Sequence, residues 1–301
     1  MKKKLTMSLF SATLLSVIQH ARQYEGSQLL PASNYSQVIF ICLIVGALTL
    51  GSAPEANAEI NWPKLKGVSH FGYLSIREQQ EVGLLATGLK PRFPAGIICP
   101  QISSPFGSPT RFDGSLRVSH SNNGFHGGMD ITLENGTPLL AAADGKVIHI
   151  SEGGQLVGKV IWMQHTPKDT GFKEWTYTKY QHLSKSPELR VGDSFKAGDI
   201  VAHSGDTGTT GGRAFGALGY PHLHMNVYAS PSRKYKIKGH KVRIKRRVYI
   251  DPVAFYKNIL YMSDELIKKK ISAVQVGVKL ETGSVMLGAS KRIWPVYCRK
   301  N

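Results

Sequence analysis

A mainly β fold is what the sequence predicts, and three observations carry that prediction. From residue 99 onward, glycine turns cut the chain into short apolar and β-branched runs, the spacing expected of strands. Residues 220–230, "YPHLHMNVYAS", alternate cleanly, with His222, His224 and Asn226 on one side and Leu223, Met225 and Val227 on the other. Residues 137–154, "TPLLAAADGKVIHISEGG", place an Asp144-Gly145 pair between two apolar runs, which reads as a hairpin. The 301 residues leave room for one large or two small domains, and 42% hydrophobic content suits a turn-rich globular chain.

Taken in order, the segments read as follows. Lys2, Lys3 and Lys4 open the chain, and "VIFICLIVGALTL" (38–50) is an uncharged apolar run, too short to span a bilayer comfortably. Ala56-Asn57-Ala58 then fits a small-residue cleavage site, so residues 1–58 read as a signal peptide or N-terminal membrane-targeting segment. The expectation is an exported protein of the periplasm or cell envelope, membrane-anchored if that segment is not cleaved. Residues 59–98 read as a linker with one short helix at 74–89, broken by "GLKPRFPAG". The β domain proper is expected at 99–256. Within it, "KVIWMQH" (159–165) alternates and "WTYTKYQHL" (175–183) follows as its partner strand. Short strands and tight turns fill 191–208, a Gly-rich loop fills 208–221, and the alternating run follows. Residues 232–247, "SRKYKIKGHKVRIKRR", insert nine basic residues, and 257–301 form a C-terminal extension.

Lys and Arg total 38 against 20 Asp and Glu, a net charge of +18 that favours anionic partners. Export sets nucleic acid aside and leaves an acidic wall polymer or a membrane surface. The run at 233–247 is most simply a solvated hairpin face; binding such a polymer or surface is the next reading. Of three cysteines, Cys42 lies in the N-terminal segment, and Cys99 and Cys298 remain. In an exported chain these two are expected to pair and tie the C-terminal tail to the start of the domain, two free thiols being the alternative.

The chemistry concentrates in "GFHGGMDIT" (124–132). His126 and Asp130 stand four apart, a spacing that shares a face on a helix and also on a strand. Gly127 and Gly128 between them would each cost a helix about 1 kcal/mol relative to alanine, so a turn running into a strand is the better picture. His222 and His224, two apart on an alternating strand, also share a face. Three ligands drawn from such imidazoles and a carboxylate, with a fourth position open, make a catalytic rather than a structural zinc site.

From Ser104 to Pro252 the chain resembles the lysostaphin-type (LytM-like) zinc metalloendopeptidases. "SPFG" (104–107), "FHGGMDIT" (125–132), "NGTPLLAAADGKV" (135–147), "YTKYQHLS" (177–184), "VGDSFKAGDIVAHSGDTG" (191–208) and "HLHMNV" (222–227) occur in that family's order. The resemblance implies a compact antiparallel-sheet domain of the duplicated hybrid motif type. It implies one zinc ion per chain at His126, Asp130 and His224, with His182 and His222 as the remaining catalytic histidines. The implied reaction is hydrolysis of peptide bonds in the stems or cross-links of peptidoglycan. Two other readings share the fold: a non-catalytic wall-binding or amidase-regulating module, and a peptidase acting on a secreted protein or peptide. All five site positions are retained, which favours the enzyme. The sequence departs from the family in its longer Gly-rich stretch at 208–221 and in Asn226, where an acidic residue is more usual. His70, His120, His149, His165, His203 and His240 read as packed or surface imidazoles, and Tyr180 as a strand packing residue.

Overall fold

The computed structural model describes residues 86–117, 125–209, 219–260, 262 and 264–301. The N-terminal targeting segment, the expected helix up to residue 85, His70, His120 and most of the Gly-rich loop lie outside the described residues. Residues 86–89, where that helix was expected to end, are not helical.

The strands, in order, begin with β1 (Lys90–Arg92), β2 (Ile97–Ile98), β3 (Ile102–Ser104), β4 (Met129–Thr132), β5 (Pro138–Leu140), β6 (Gly145–Glu152) and β7 (Lys159–His165). Helix α1 (Pro167–Thr170) is a single turn, closed by a reciprocal Thr166–Asp169 capping box. There follow β8 (Trp175–Leu183), β9 (Ser194–Phe195), β10 (Ile200–His203), β11 (His222–Ser230), β12 (Tyr235–Lys238), β13 (Lys241–Ile244) and β14 (Val248–Ile250). The chain continues through α2 (Pro252–Phe255), α3 (Asp264–Lys268), β15 (Ala273–Gln275), β16 (Val278–Lys279), β17 (Val285–Met286) and β18 (Arg299–Lys300).

Eight strands make the principal sheet, in the order β3-β4-β11-β8-β7-β6-β9, with β14 also paired to β11. The long alternating run forms β11 at its centre. It pairs antiparallel with β4 through His224↔Asp130 and with β8 through His224↔Gln181. Strands β7 and β8 pair as their patterns predict. The Asp144-Gly145 hairpin does not form: β5 pairs with β10, while β6 pairs with β7 and β9. Asp144 is committed elsewhere. Its carboxylate accepts from the Ala197 amide at 2.8 Å, and its carbonyl accepts from His165 Nδ1–H at 2.7 Å.

Alternation gives the sheet two different faces. Leu223, Met225 and Val227 point into the main core with Met129, Ile131, Ile161, Met163 and Tyr180. The tail belongs to that same core, through Val274, Val276, Trp294 and Val296. Tyr180 packs as expected, its hydroxyl donating to the Leu140 carbonyl at 2.8 Å. Cys99 and Cys298 form the expected disulfide, with a Cα–Cα distance of 4.4 Å, beside the β2–β18 pair. The opposite face holds Trp162, Tyr177, Tyr228 and Tyr249, covered by Val242 and Ile244 of β13. The basic insertion therefore has an apolar underside as well as its solvated face. No helix among the described residues is long and apolar enough to cross a membrane.

Candidate metal centre and cleft

Strand pairing brings the predicted residues together. His224 and Asp130 are direct cross-strand partners, so their side chains leave the same face of the sheet. His126 arrives from the turn just before β4. The result is a triangle: His126 Nε2 lies 3.0 Å from Asp130 Oδ1 and 3.0 Å from His224 Nδ1, and His224 Nδ1 lies 2.8 Å from Asp130 Oδ1. Ligand atoms bound at about 2.0–2.1 Å with tetrahedral angles stand about 3.3 Å apart, close to the spacing found. Two imidazole nitrogens and one carboxylate oxygen are also the donor set that suits a zinc-type cation. His126, Asp130 and His224 thus fit a metal ion in both chemistry and spacing.

The surroundings orient this set. His126 Nδ1–H donates to the Pro105 carbonyl at 3.0 Å, which leaves Nε2 as the ring's free lone pair. Arg117 donates through Nη2 to Asp130 Oδ2 at 3.3 Å and to Ser104 Oγ at 2.8 Å, so Oδ1 is the carboxylate oxygen turned toward the imidazoles. Asn226 Nδ2 donates to the Gly127 carbonyl at 2.8 Å and pins the turn that delivers His126. Gly128 lies so close to β11 that a side chain would not fit there.

His182 and His222 complete the group. Their ring centroids are 4.5 Å apart, and His222 Nε2 lies 3.7 Å from Asp130 Oδ1. His182 Nδ1–H donates to the Thr207 carbonyl at 2.9 Å and His222 Nδ1–H to the Tyr220 carbonyl at 2.7 Å. Both rings therefore carry their basic nitrogen at Nε2. Strict alternation from Gln181 would send His182 to the other face of the sheet. Its backbone sits instead in the left-handed region, at φ 62°, beside a register shift between β7 and β8 that re-aims the ring.

Burial sets the electrostatics. It opposes ionisation of Asp130, but the neighbouring His126 and His224 outweigh it and hold the carboxyl well below its ordinary value. Burial, reinforced by His222 and His224, drives His182 well below the usual imidazole value. Burial also lowers His222, and it lowers His224 to about 4 despite the Asp130 carboxylate beside it. Apart from bound metal, these three rings are neutral near pH 7 and free to ligate or to accept a proton.

All five residues line one cleft of about 530 Å³. Arg117, Tyr220, Gln181 and Lys179 share it and were not singled out from sequence. Tyr220, stacked on His222 at 4.2 Å, continues the even-numbered alternation of β11 and was legible by that rule. Arg117 and Lys179 meet the site through loop packing and cross-strand pairing, which leave no local signal. Among the remaining histidines, His165 is buried in the core and His240 reaches the cleft rim.

A carboxylate and two imidazoles thus form a group that could hold a metal ion, with two further imidazoles on the same cleft. Residues 124–242 match the model of peptidase family M23, and this domain belongs to that family. An uncharacterized metalloprotease of Haemophilus influenzae is 32% identical over 128 residues, 42% of this chain and 22% of its own length. The glycyl-glycine endopeptidase ALE-1 of Staphylococcus capitis is 36% identical over 108 residues, 35% of this chain and 25% of its own length. A solved structure, the catalytic domain of the antimicrobial peptidase lysostaphin from Staphylococcus simulans, is 25% identical. Its alignment covers 52% of this chain and 92% of that domain, with a TM-score of 0.37. The matched segments thus span a quarter or less of the length of the two relatives.

Proposed function

We propose that this chain is an exported, zinc-dependent endopeptidase that hydrolyses peptide bonds in the stems or cross-links of peptidoglycan. The observation that carries the reading is the ligand triangle of His126 Nε2, Asp130 Oδ1 and His224 Nδ1, with the Nε2 atoms of His182 and His222 beside it. Export is supported by the basic and apolar N-terminal pattern with its Ala56-Asn57-Ala58 site and by the Cys99–Cys298 disulfide. Peptidoglycan is supported by a further relative, the peptidoglycan DD-endopeptidase ShyC of Vibrio cholerae, 31% identical over 110 residues.

His126, Asp130 and His224 would hold one zinc ion. Bound there, zinc supplies Lewis acidity, which polarises a scissile carbonyl and lowers the pKa of water to about 7. The rest of the work falls to the protein's own groups. Arg117 holds Asp130 Oδ2, so the carboxylate presents Oδ1 in a fixed direction. His182 and His222 are locked by their Nδ1–H bonds to Thr207 and Tyr220, which aims each Nε2 into the cleft. As neutral bases there, they take the proton of the attacking water and return it to the leaving amine, or donate to the oxyanion while protonated.

The test separates residues that stand only two apart. His126→Ala, Asp130→Ala and His224→Ala each remove a ligand, so zinc content and activity are expected to fall together. His182→Ala and His222→Ala leave the ligand set whole; zinc is expected to stay near one per chain while turnover falls about 10²–10⁴-fold. Elemental analysis and turbidity loss of a wall suspension read the two quantities. Loss of zinc from His182→Ala, or retention of metal and activity by His224→Ala, would refute this assignment.

A further inference from the structure

The cleft floor carries a lysine that the reaction above does not use. Lys179 on β8 lies directly opposite Asn226 of β11 and Trp162 of β7, so it shares the sheet face of His224 and Asp130. It stands two residues along β8 from Gln181, the cross-strand partner of His224, a separation of about 7 Å. Its ammonium lies 5.1 Å from the Trp162 ring centroid. Two more cations gather here: Lys241 of β13, which lines the same cleft, and Arg247, whose guanidinium lies 4.6 Å from the Tyr228 ring and 5.4 Å from Tyr249.

Among the described residues no carboxylate forms an ion pair with Lys179. Burial, then Arg247 and Lys241, lower its pKa to about 7. Like charges gathered over an aromatic floor, at the end of a cleft, are the complement of an anion with an apolar stem. Lys241 comes from the basic insertion, whose Val242 and Ile244 pack beneath it and hold it at the rim.

We propose that Lys179, flanked by Lys241 and Arg247, is an anion-binding subsite that takes a carboxylate of the substrate peptide about two residues from the bond being cut. The proposal deepens the endopeptidase reading and rests on it for the position of that bond. An extended peptide advances about 3.3 Å per residue, so two residues span the distance from the His224–Gln181 pair to Lys179. The carboxylate is either a chain-terminal one or that of an acidic side chain, and the experiment tells these apart.

The probes are stem-peptide dimers prepared in four forms: unmodified, amidated at the chain terminus only, amidated at side-chain carboxyls only, and amidated at both. Binding is measured by calorimetry with zinc-loaded His182→Ala full-length chain, so that turnover does not consume the ligand. Cleavage by the unsubstituted protein is followed in parallel by mass spectrometry. The unmodified dimer is expected to bind at least tenfold more tightly than the fully amidated one, and the single amidations show which carboxylate matters. Adding Lys179→Gln should bring the ratio within about twofold, whereas adding Arg243→Gln, on the outer face of the insertion, should leave it intact. Equal affinities, no binding of either form, or a preference that survives Lys179→Gln would overturn the subsite. Selective binding without cleavage of dimers or walls would count against the endopeptidase reading alone.

Discussion

Gly128 sits where no side chain can. A Cβ there would stand 2.4 Å from the Met225 carbonyl oxygen and 2.8 Å from His224 Nε2. Gly128→Ala is expected to displace His224 and weaken zinc binding about 10–100-fold, the range seen when the support of a ligand is lost. Competition with a chelator reads this directly, and an unchanged affinity would show that β11 yields without moving the ring. His165 makes a separate prediction. It is fully buried, its Nε2 accepting from the Thr178 hydroxyl at 2.8 Å, and burial lowers its pKa to about 4. The unfolded chain binds that proton near pH 6.5 and the folded one only near 4. Stability should be flat above about pH 7 and fall as the pH drops from 6.5 toward 4, by up to about 3 kcal/mol from this residue. Urea unfolding at pH 7.5 and 5 should show a smaller drop in His165→Gln than in the unsubstituted protein. At this scale the sequence was a good guide where residues share a strand face: His222 and His224 follow from even spacing, while His126 reaches Asp130 from the glycine turn before β4. His182 does not follow from spacing, because a left-handed backbone and not its place in the pattern aims it.

The basic insertion shows how an element differs from its composition. Nine charges in 233–247 read as a solvated face, yet β13 alternates exposed Lys241 and Arg243 with buried Val242 and Ile244. Lys236 pairs with Arg243 and Lys238 with Lys241, and of these four only Lys241, next to the turn, reaches the cleft. Lys236, Lys238 and Arg243 are candidates for holding the anionic wall polymer. Reversing these three to Glu is expected to weaken sedimentation with isolated walls and to reduce its dependence on salt, which screens such contacts over about 8–10 Å. Salt-insensitive sedimentation, unchanged by the reversal, would show the face to be merely solvated. The failed hairpin at Asp144-Gly145 has a comparable cause. Turn chemistry predicts a reversal from its own two residues, but Asp144 is bound by Ala197 and His165, residues distant in sequence. Strands β7, β8 and β11 were legible because alternation is a local property. The pairing of β5 with β10 was not, because partner choice is settled by the tertiary core.

At the scale of the molecule, the tail completes the domain. Trp294 and Val296 lie in the main core, and β15 and β18 pair with β1 and β2. No periodic signal marks 257–301 as part of the fold, since its contacts are short and span the length of the domain. The disulfide closes a span of 199 residues, for which loop-closure entropy gives an upper limit of about 5 kcal/mol. Cys298→Ser is expected to lower the thermal midpoint by several degrees and to abolish its sensitivity to reductant. An unaltered midpoint would mean that the β2–β18 pairing holds the ends together without the bond. The same closure decides how the protein carries load. Tension applied between residue 98 and residue 299 meets a covalent bond before it meets any hydrogen bond of the catalytic sheet. An oxidised molecule pulled at those points should yield almost no length, whereas the reduced one should release about 700 Å of chain. Load entering at one of these points and leaving at the other would bypass the triangle of His126, Asp130 and His224.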